Sequence, residues 1–252
     1  MIAAIGQRPQ AVLFDFGGVI ADIVHDDTGF AVVAEEVVRH IGGALPVIDV
    51  EADLRAGARA YESWKQSQSR RIHPREITYT EFWELVCCDW PEAPRRALLE
   101  DATTAARLCE CFETATLHRP AKPESRDLLL ALRDLGIRTA LVSNCLAAEA
   151  ARRQLRADWL AGLFDAEIYS DEVGIRKPDR EIMLAAVRAI GADPAATWFV
   201  GDKYNRDILG ARRAGLGAAV LMSSPGGPGT PVRGIEADAE IASPMELLAL
   251  FH

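Results

Sequence analysis

The stretch 11–20, Ala-Val-Leu-Phe-Asp-Phe-Gly-Gly-Val-Ile, limits the possible folds more than any other part of the chain. Four apolar residues without polar alternation run straight into Asp15, the pattern of a strand buried on both faces, as in a parallel sheet. Such sheets bind ligands at the carboxyl ends of their strands, and Asp15 stands at that end. Gly17 and Gly18 let the backbone turn sharply and approach a ligand closely. A carboxylate seated there can attack an electrophile, hold a metal, or simply close a strand.

The pattern recurs in the second half of the chain. Strands are expected at 137–142, ending in Ser143 and Asn144, and at 166–170, followed by a loop over 171–178 that carries Lys177. Further strands are expected at 197–200, ending in Gly201 and Asp202, and at 217–222. Helices are expected between them at 124–135, 146–156, 179–190 and 207–214, with Gly136 and Gly191 closing the first and third. Alternating strands and helices imply a parallel sheet with right-handed crossovers. From 21 to 117 the periodicity is helical instead. Helices are expected at 28–40, 49–69, from a Thr78/Glu81 capping box through Val86, and at 97–112 after Pro91 and Pro94 break the chain. This region reads as a helical insertion placed directly after the Asp15 loop. Residues 223–234, rich in Gly and Pro, read as a loop. Its Gly226-Gly-Pro-Gly229 run lacks the Gly-Lys-Ser/Thr end of a phosphate loop, and its prolines remove N–H donors. Ser243 and Pro244 open a last short helix.

Composition bounds the partners. The net charge of −9 over 252 residues argues against nucleic acid or an anionic membrane as partner. An anionic substrate would need local positive charge from a metal, a lysine or a helix N-terminus. Residues 1–10 lack the pattern of a secretory leader, and no apolar run approaches the roughly 20 residues of a membrane span. Five cysteines, an odd number without zinc-ligand spacing, point to a reducing cytoplasm.

In a parallel sheet, Asp15, Ser143 with Asn144, Lys177 and Asp202 converge on one rim. Each has a plain structural reading, as a turn, a helix cap or a solvated charge, but turn chemistry alone explains four in this order poorly. The chemistry they suggest is phosphoryl transfer. Asp15 attacks phosphorus. Asp15, the Gly17 carbonyl, Asp202 and Asp207 hold Mg²⁺, a hard cation that favours oxygen donors. Ser143 and Asn144 meet the phosphate with N–H groups of the following helix, and Lys177 balances the carboxylates and contacts the phosphate.

The segments Phe14-Asp-Phe-Gly-Gly-Val19, Val142-Ser-Asn144, Gly174-Ile-Arg-Lys-Pro178 and Val200-Gly-Asp-Lys-Tyr-Asn-Arg-Asp207 resemble the haloacid dehalogenase-like hydrolase superfamily. The resemblance implies an α/β fold: a Rossmann-like parallel-sheet core of residues 1–20 and 118–252, with an inserted helical cap of residues 21–117. It implies a cytoplasmic, Mg²⁺-dependent phosphatase of a small phosphorylated metabolite, working through an aspartyl-phosphate. Phosphatases of this family usually carry a second Asp, the acid and base of the reaction, where this chain has Gly17. Asp22 and His25 are the nearby substitutes. The departure motivates a second reading, a non-catalytic or regulatory protein. A dehalogenase, which has no use for Asp202 and Asp207 as metal ligands, and another phosphoryl transfer such as a mutase are the remaining readings. Trp64, Tyr61, Phe82 and Trp83 are candidates for a pocket or for core. Arg70, Arg71 and His73 are candidates for an anion contact or a solvated face.

Overall fold

The computed structural model describes residues 8–251. The expectation of a chain without a leader falls mostly on residues 1–7, outside the described residues. Strand β1 (Ala11–Phe14) is fully buried. The chain then crosses through β2 (Val24–His25) into five helices: α1 (Gly29–His40), α2 (Val47–Gln68), α3 (Tyr79–Val86), α4 (Glu92–Leu99) and α5 (Ala102–Thr116). It returns through β3 (Leu117–His118) to α6 (Ser125–Asp134), β4 (Arg138–Ser143), α7 (Ala148–Ala157), β5 (Ala166–Tyr169), α8 (Ser170–Val173) and α9 (Arg180–Ala189). Strand β6 (Thr197–Gly201), α10 (Leu209–Ala214), β7 (Ala218–Met222) and β8 (Ala239–Ile241) complete the order.

Six strands form one sheet in the order β5-β4-β1-β6-β7-β8, every pair parallel. Because side chains alternate across a strand, β1 feeds both faces. Val12 and Phe14 pack with α6 and α7 residues such as Leu128, Leu132, Ala151 and Leu155. Ala11 and Leu13 pack with α9 and α10 residues such as Ile182, Ala186 and Ala211. The central seat of β1 follows from its lack of polar residues, and it puts Asp15 between the ends of β4 and β6.

Helices α1–α5 bury their own apolar cluster, with Phe82 and Trp83 fully enclosed. Phe82 stacks edge-on against Tyr61 and Trp83. Leu146, Ala147 and Ala150, at the start of α7, belong to the same cluster. The backbones on either side of this unit run antiparallel. Val24 and His25 pair with His118 and Leu117, and N–H bonds extend the pairing from Lys122→Ile20 to Asp26→Thr116.

Several sequence expectations are corrected at their edges. The helix expected at 97–112 is two helices, broken at Glu100 and capped anew by Asp101, whose carboxylate accepts the N–H groups of Thr103 and Thr104. Pro91 and Pro94 do not interrupt α4. They stand at its N-cap and first turn, where the N–H that proline lacks has no helical partner anyway. The helix expected at 207–214 begins earlier, as a π-helical turn over Tyr204–Ile208. The last helix is a 3₁₀ turn, and β8, too short and polar to show periodicity, was not expected. The Thr78/Glu81 capping box forms as read.

Candidate active site

Asp15 extends β1 by one more bond, its N–H donating to the Val200 carbonyl at 2.9 Å. Its Oδ1 accepts the Phe16 N–H at 2.7 Å and faces Lys177 Nζ at 2.7 Å. Lys177 is fully buried and shared, its Nζ also standing 2.8 Å from Asp207 Oδ1. Asp207 Oδ2 accepts the N–H groups of Asp202 and Lys203 at 3.2 and 3.0 Å, which fixes the turn after β6. Carboxylate oxygens of Asp15, Asp202 and Asp207 lie within 4.8 Å of one another. Gly18, at φ +85°, closes the loop, and a side chain there would collide with Asp202.

Burial sets the electrostatics. Loss of solvent pushes the Asp15 carboxyl up to about 6, against the pull of the Lys177 ammonium. Asp207 meets the same cost of burial, yet Lys177 and Arg206 outweigh it and hold its carboxyl below the usual range. Arg206 was not singled out by sequence. Its Nη2 lies 3.5 Å from Asp202 Oδ1 and 4.0 Å from Asp15 Oδ2. Its spacing of four from Asp202 was the available signal. Ser224, which donates to Asp202 Oδ2 at 2.8 Å, had none, since 22 residues separate the two.

The other expected residues take distinct places. Ser143 is buried at the end of β4. Asn144 clamps the loop that carries Lys177: its Nδ2 donates to the Lys177 carbonyl at 3.1 Å, and its Oδ1 accepts the Lys177 N–H at 2.9 Å. The N–H donors expected from the start of α7 are largely taken, since Cys145 donates to Ser170 Oγ, Ala147 to Glu113 and Ala148 to Asp171. Gly17 has no carboxylate to offer, and a Cβ there would meet Ile23 Cδ1 at 2.8 Å. Asp22 pairs with Lys122 at 3.2 Å, and His25 lies on the exposed β2 ribbon, so neither joins the cluster. His73 contacts Asp179. Phe82 and Trp83 are core.

The donor set suits a divalent cation. Asp202 Oδ1 is buried without a hydrogen-bond partner among the described residues, and the cluster offers the hard oxygens that Mg²⁺ prefers. Asp15 and Asp202 are the carboxylates with oxygens to spare, because Lys177 and backbone N–H groups occupy Asp207.

A strand-end carboxylate, a buried lysine and two further carboxylates thus gather on the rim of a parallel sheet. The family model for haloacid dehalogenase-like hydrolases matches residues 9–215, and the chain belongs to that family. A glyceraldehyde 3-phosphate phosphatase of Methanothermobacter thermautotrophicus is 32% identical over 217 residues, 85% of this chain and 86% of that protein. A phosphoserine phosphatase of Thermus thermophilus is 35% identical over 127 residues, about half of either chain (49% and 51%). Among solved structures, a 2-haloacid dehalogenase from Pseudomonas syringae pv. Tomato shares the fold at TM-score 0.63 and 22% identity, over 97% of this chain and 98% of that one.

Proposed function

We propose that the protein is a Mg²⁺-dependent phosphatase of a small phosphorylated metabolite, working in the cytoplasm. The observation that carries this reading is the Asp15 carboxylate, held at one oxygen by Lys177 and Phe16 N–H while the other lies 4.0 Å from Arg206, with Asp202 and Asp207 gathered beside it. An Asp15 oxygen forms a bond to phosphorus as the ester P–O bond breaks, and the leaving oxygen takes its proton from solvent. Water then attacks phosphorus of the aspartyl-phosphate and gives up a proton to solvent, releasing inorganic phosphate and the free carboxylate. Asp15, Asp202 and the Gly17 carbonyl would hold Mg²⁺, with Asp207 reaching it through water, and the cation would neutralise charge on the phosphate oxygens. Lys177 steadies both Asp15 and Asp207 and serves the phosphate together with Ser143. Asn144 acts through Lys177, whose backbone it pins. Residues 21–117 serve as a cap that shields the reaction from water. The curated phosphatase relatives support the reaction class. Thiols free in every described cysteine are consistent with the compartment, and no described helix is long and apolar enough to cross a membrane.

A regulatory, non-catalytic protein is the second reading, and Gly17 is the observation behind it. The intact Asp15–Lys177–Asp207 pairing opposes it, because a buried lysine shared by two carboxylates is costly to keep without use. The test is a screen of phosphate esters with wild type and Asp15→Asn. Wild type should release phosphate with Mg²⁺, lose activity in chelator and regain it on adding Mg²⁺. The isosteric Asn variant should keep its circular dichroism and lose at least 10³-fold in turnover, amide being a poor nucleophile (about the loss seen on removing a nucleophile). Equal activity of the two proteins would remove the mechanism. Full activity in excess chelator would remove the Mg²⁺ requirement, and no phosphate release from any ester would favour the non-catalytic reading or dehalogenase-type chemistry.

A further inference from the structure

The cavity beside the carboxylate cluster carries more positive charge than phosphoryl transfer requires. It encloses about 710 Å³ between α2 and the loops after β6 and β7, and seven Lys or Arg side chains line it against one carboxylate, Glu62. The rest of the chain makes this unusual, since its net charge is −9. Some of these cations are answered by the protein: Arg176 by Glu76, Lys203 by Asp202, Lys65 by Glu62, and Arg213 by the carbonyls of Arg71, Ile72 and Pro178. Three keep donors to spare. Arg206 turns toward Asp15 and Asp202, but its buried Nε has no hydrogen-bond partner among the described residues. Arg70, just beyond α2, and Arg233, in the 223–234 loop, line the cavity from opposite elements, exposed at its mouth, and enter no ion pair among the described residues.

The wall that carries Arg233 is built rather than loose. Tyr204 N–H donates to the Pro228 carbonyl at 2.8 Å, and Lys203 Nζ reaches the Gly227 carbonyl and Ser224 Oγ. Burial chiefly pulls the Lys65 ammonium below its usual range despite Glu62, and Arg176 and Arg206 add to it. Like charges gathered in a concavity repel one another. An anion entering the cavity would relieve that repulsion.

We infer that this cavity binds a second anionic group of the substrate, so that the substrate is a phosphate ester whose leaving group ends in a carboxylate or a second phosphate. The inference rests on the phosphatase reading and names the substrate class for that site. Arg70 and Arg233 take the far anion, for which a planar, forked guanidinium is suited. Arg206 lies between that anion and Asp15. The volume falls within the range that accepts ligands of sugar size and above, so a two- or three-carbon ester would leave most of it filled with water.

The experiment uses full-length Asp15→Asn protein with Mg²⁺, so that esters bind without turning over, and reads affinity by calorimetry. Fructose 1,6-bisphosphate is compared with fructose 6-phosphate, and 6-phosphogluconate with sorbitol 6-phosphate. At least one doubly anionic member should bind tenfold or more tighter than its partner. That preference should shrink as salt is raised and disappear when Arg70→Ala and Arg233→Ala are added. A preference confined to the first pair identifies a second phosphate, and one confined to the second pair a carboxylate. Equal affinities within both pairs, or a preference untouched by the two substitutions, would overturn the inference. Wild-type turnover separates this from the reading beneath it. Hydrolysis without preference in binding overturns the inference alone, whereas preference in binding with no ester hydrolysed overturns the phosphatase and leaves the anion site.

Discussion

At the scale of single residues, Gly17 stands where the resemblance to phosphatases leads one to expect an acid, and its surroundings give a substitution there a cost. On the proposed mechanism, the leaving oxygen would depart with little proton assistance, which matters least when it already stabilises negative charge. Wild type should therefore favour acyl, phenyl or anomeric phosphates over simple alkyl phosphates. Gly17→Asp should raise alkyl phosphate turnover by up to roughly 10²–10⁴-fold, the usual worth of general acid–base catalysis. The new side chain must first displace Ile23, whose Cδ1 stands 2.8 Å and Cγ1 3.0 Å from where its Cβ would lie. Ile23 is 45% exposed and can swing outward, so adding Ile23→Ala should enlarge the gain. Rates across esters of graded leaving-group pKa provide the measurement. A flat dependence in wild type with no gain in either variant would mean that another group supplies the proton. The gathering of Asp15, Lys177, Asp202 and Asp207 was legible in the sequence, because carboxylates and a lysine recur after successive strands and the strand ends of a parallel sheet share a rim. Arg206 and Ser224 lie in the same loops but carried weaker signals, a four-residue spacing from Asp202 for the first and none for the second, whose contact with Asp202 spans 22 residues.

At the scale of elements, what could be read depended on burial. Strands β1 and β7 are apolar throughout, and β4 and β6 carry apolar runs at 140–142 and 198–200, so all four announce themselves, whereas β8 has too few residues to show a period. The start of α4 is masked in the sequence because prolines are strong punctuation, yet in a first helical turn they are tolerated, and the break at Glu100 rests on the Asp101 cap alone. Pairings between loops leave no trace in local sequence at all. The segment between α2 and α3 meets the one between α8 and α9 in this way. Arg75 bridges Ile175, and Glu76 pairs with Arg176 while also accepting from Ser170 Oγ. Glu76 and Arg176 are almost fully buried, at 3% and 3% exposure, so removing one partner strands the other's charge. Glu76→Ala should cost about 3–5 kcal/mol of stability in denaturant unfolding, and replacing both residues by apolar ones should recover much of it. A loss under about 1 kcal/mol, the range of a surface pair, would show that solvent reaches Arg176.

At the scale of the whole molecule, the sheet and the helical unit hold each other. The core lends Leu146, Ala147 and Ala150 to the helical cluster, and the unit returns Glu113 as acceptor for the Ala147 N–H and Glu76 as partner for Arg176. The paired backbones of β2 and β3 bring the two crossings side by side. A chain that leaves and rejoins a scaffold at adjacent points has the geometry of an exchangeable module: a two-residue turn could replace residues 26–116 and leave a plain hairpin, with no strand of the sheet disturbed. The interior argues otherwise. Such a shortened chain should keep the circular dichroism of an α/β sheet, yet bind a hydrophobic dye and self-associate in sedimentation, because the start of α7 would be bared. A monomeric, dye-free product would show that the core is self-sufficient. The joint is thus modular in its backbone and not in its side chains, so a transplanted helical unit would have to bring its own partners for the first turn of α7, and new specificities are reached more readily by altering residues within the unit than by trading it whole.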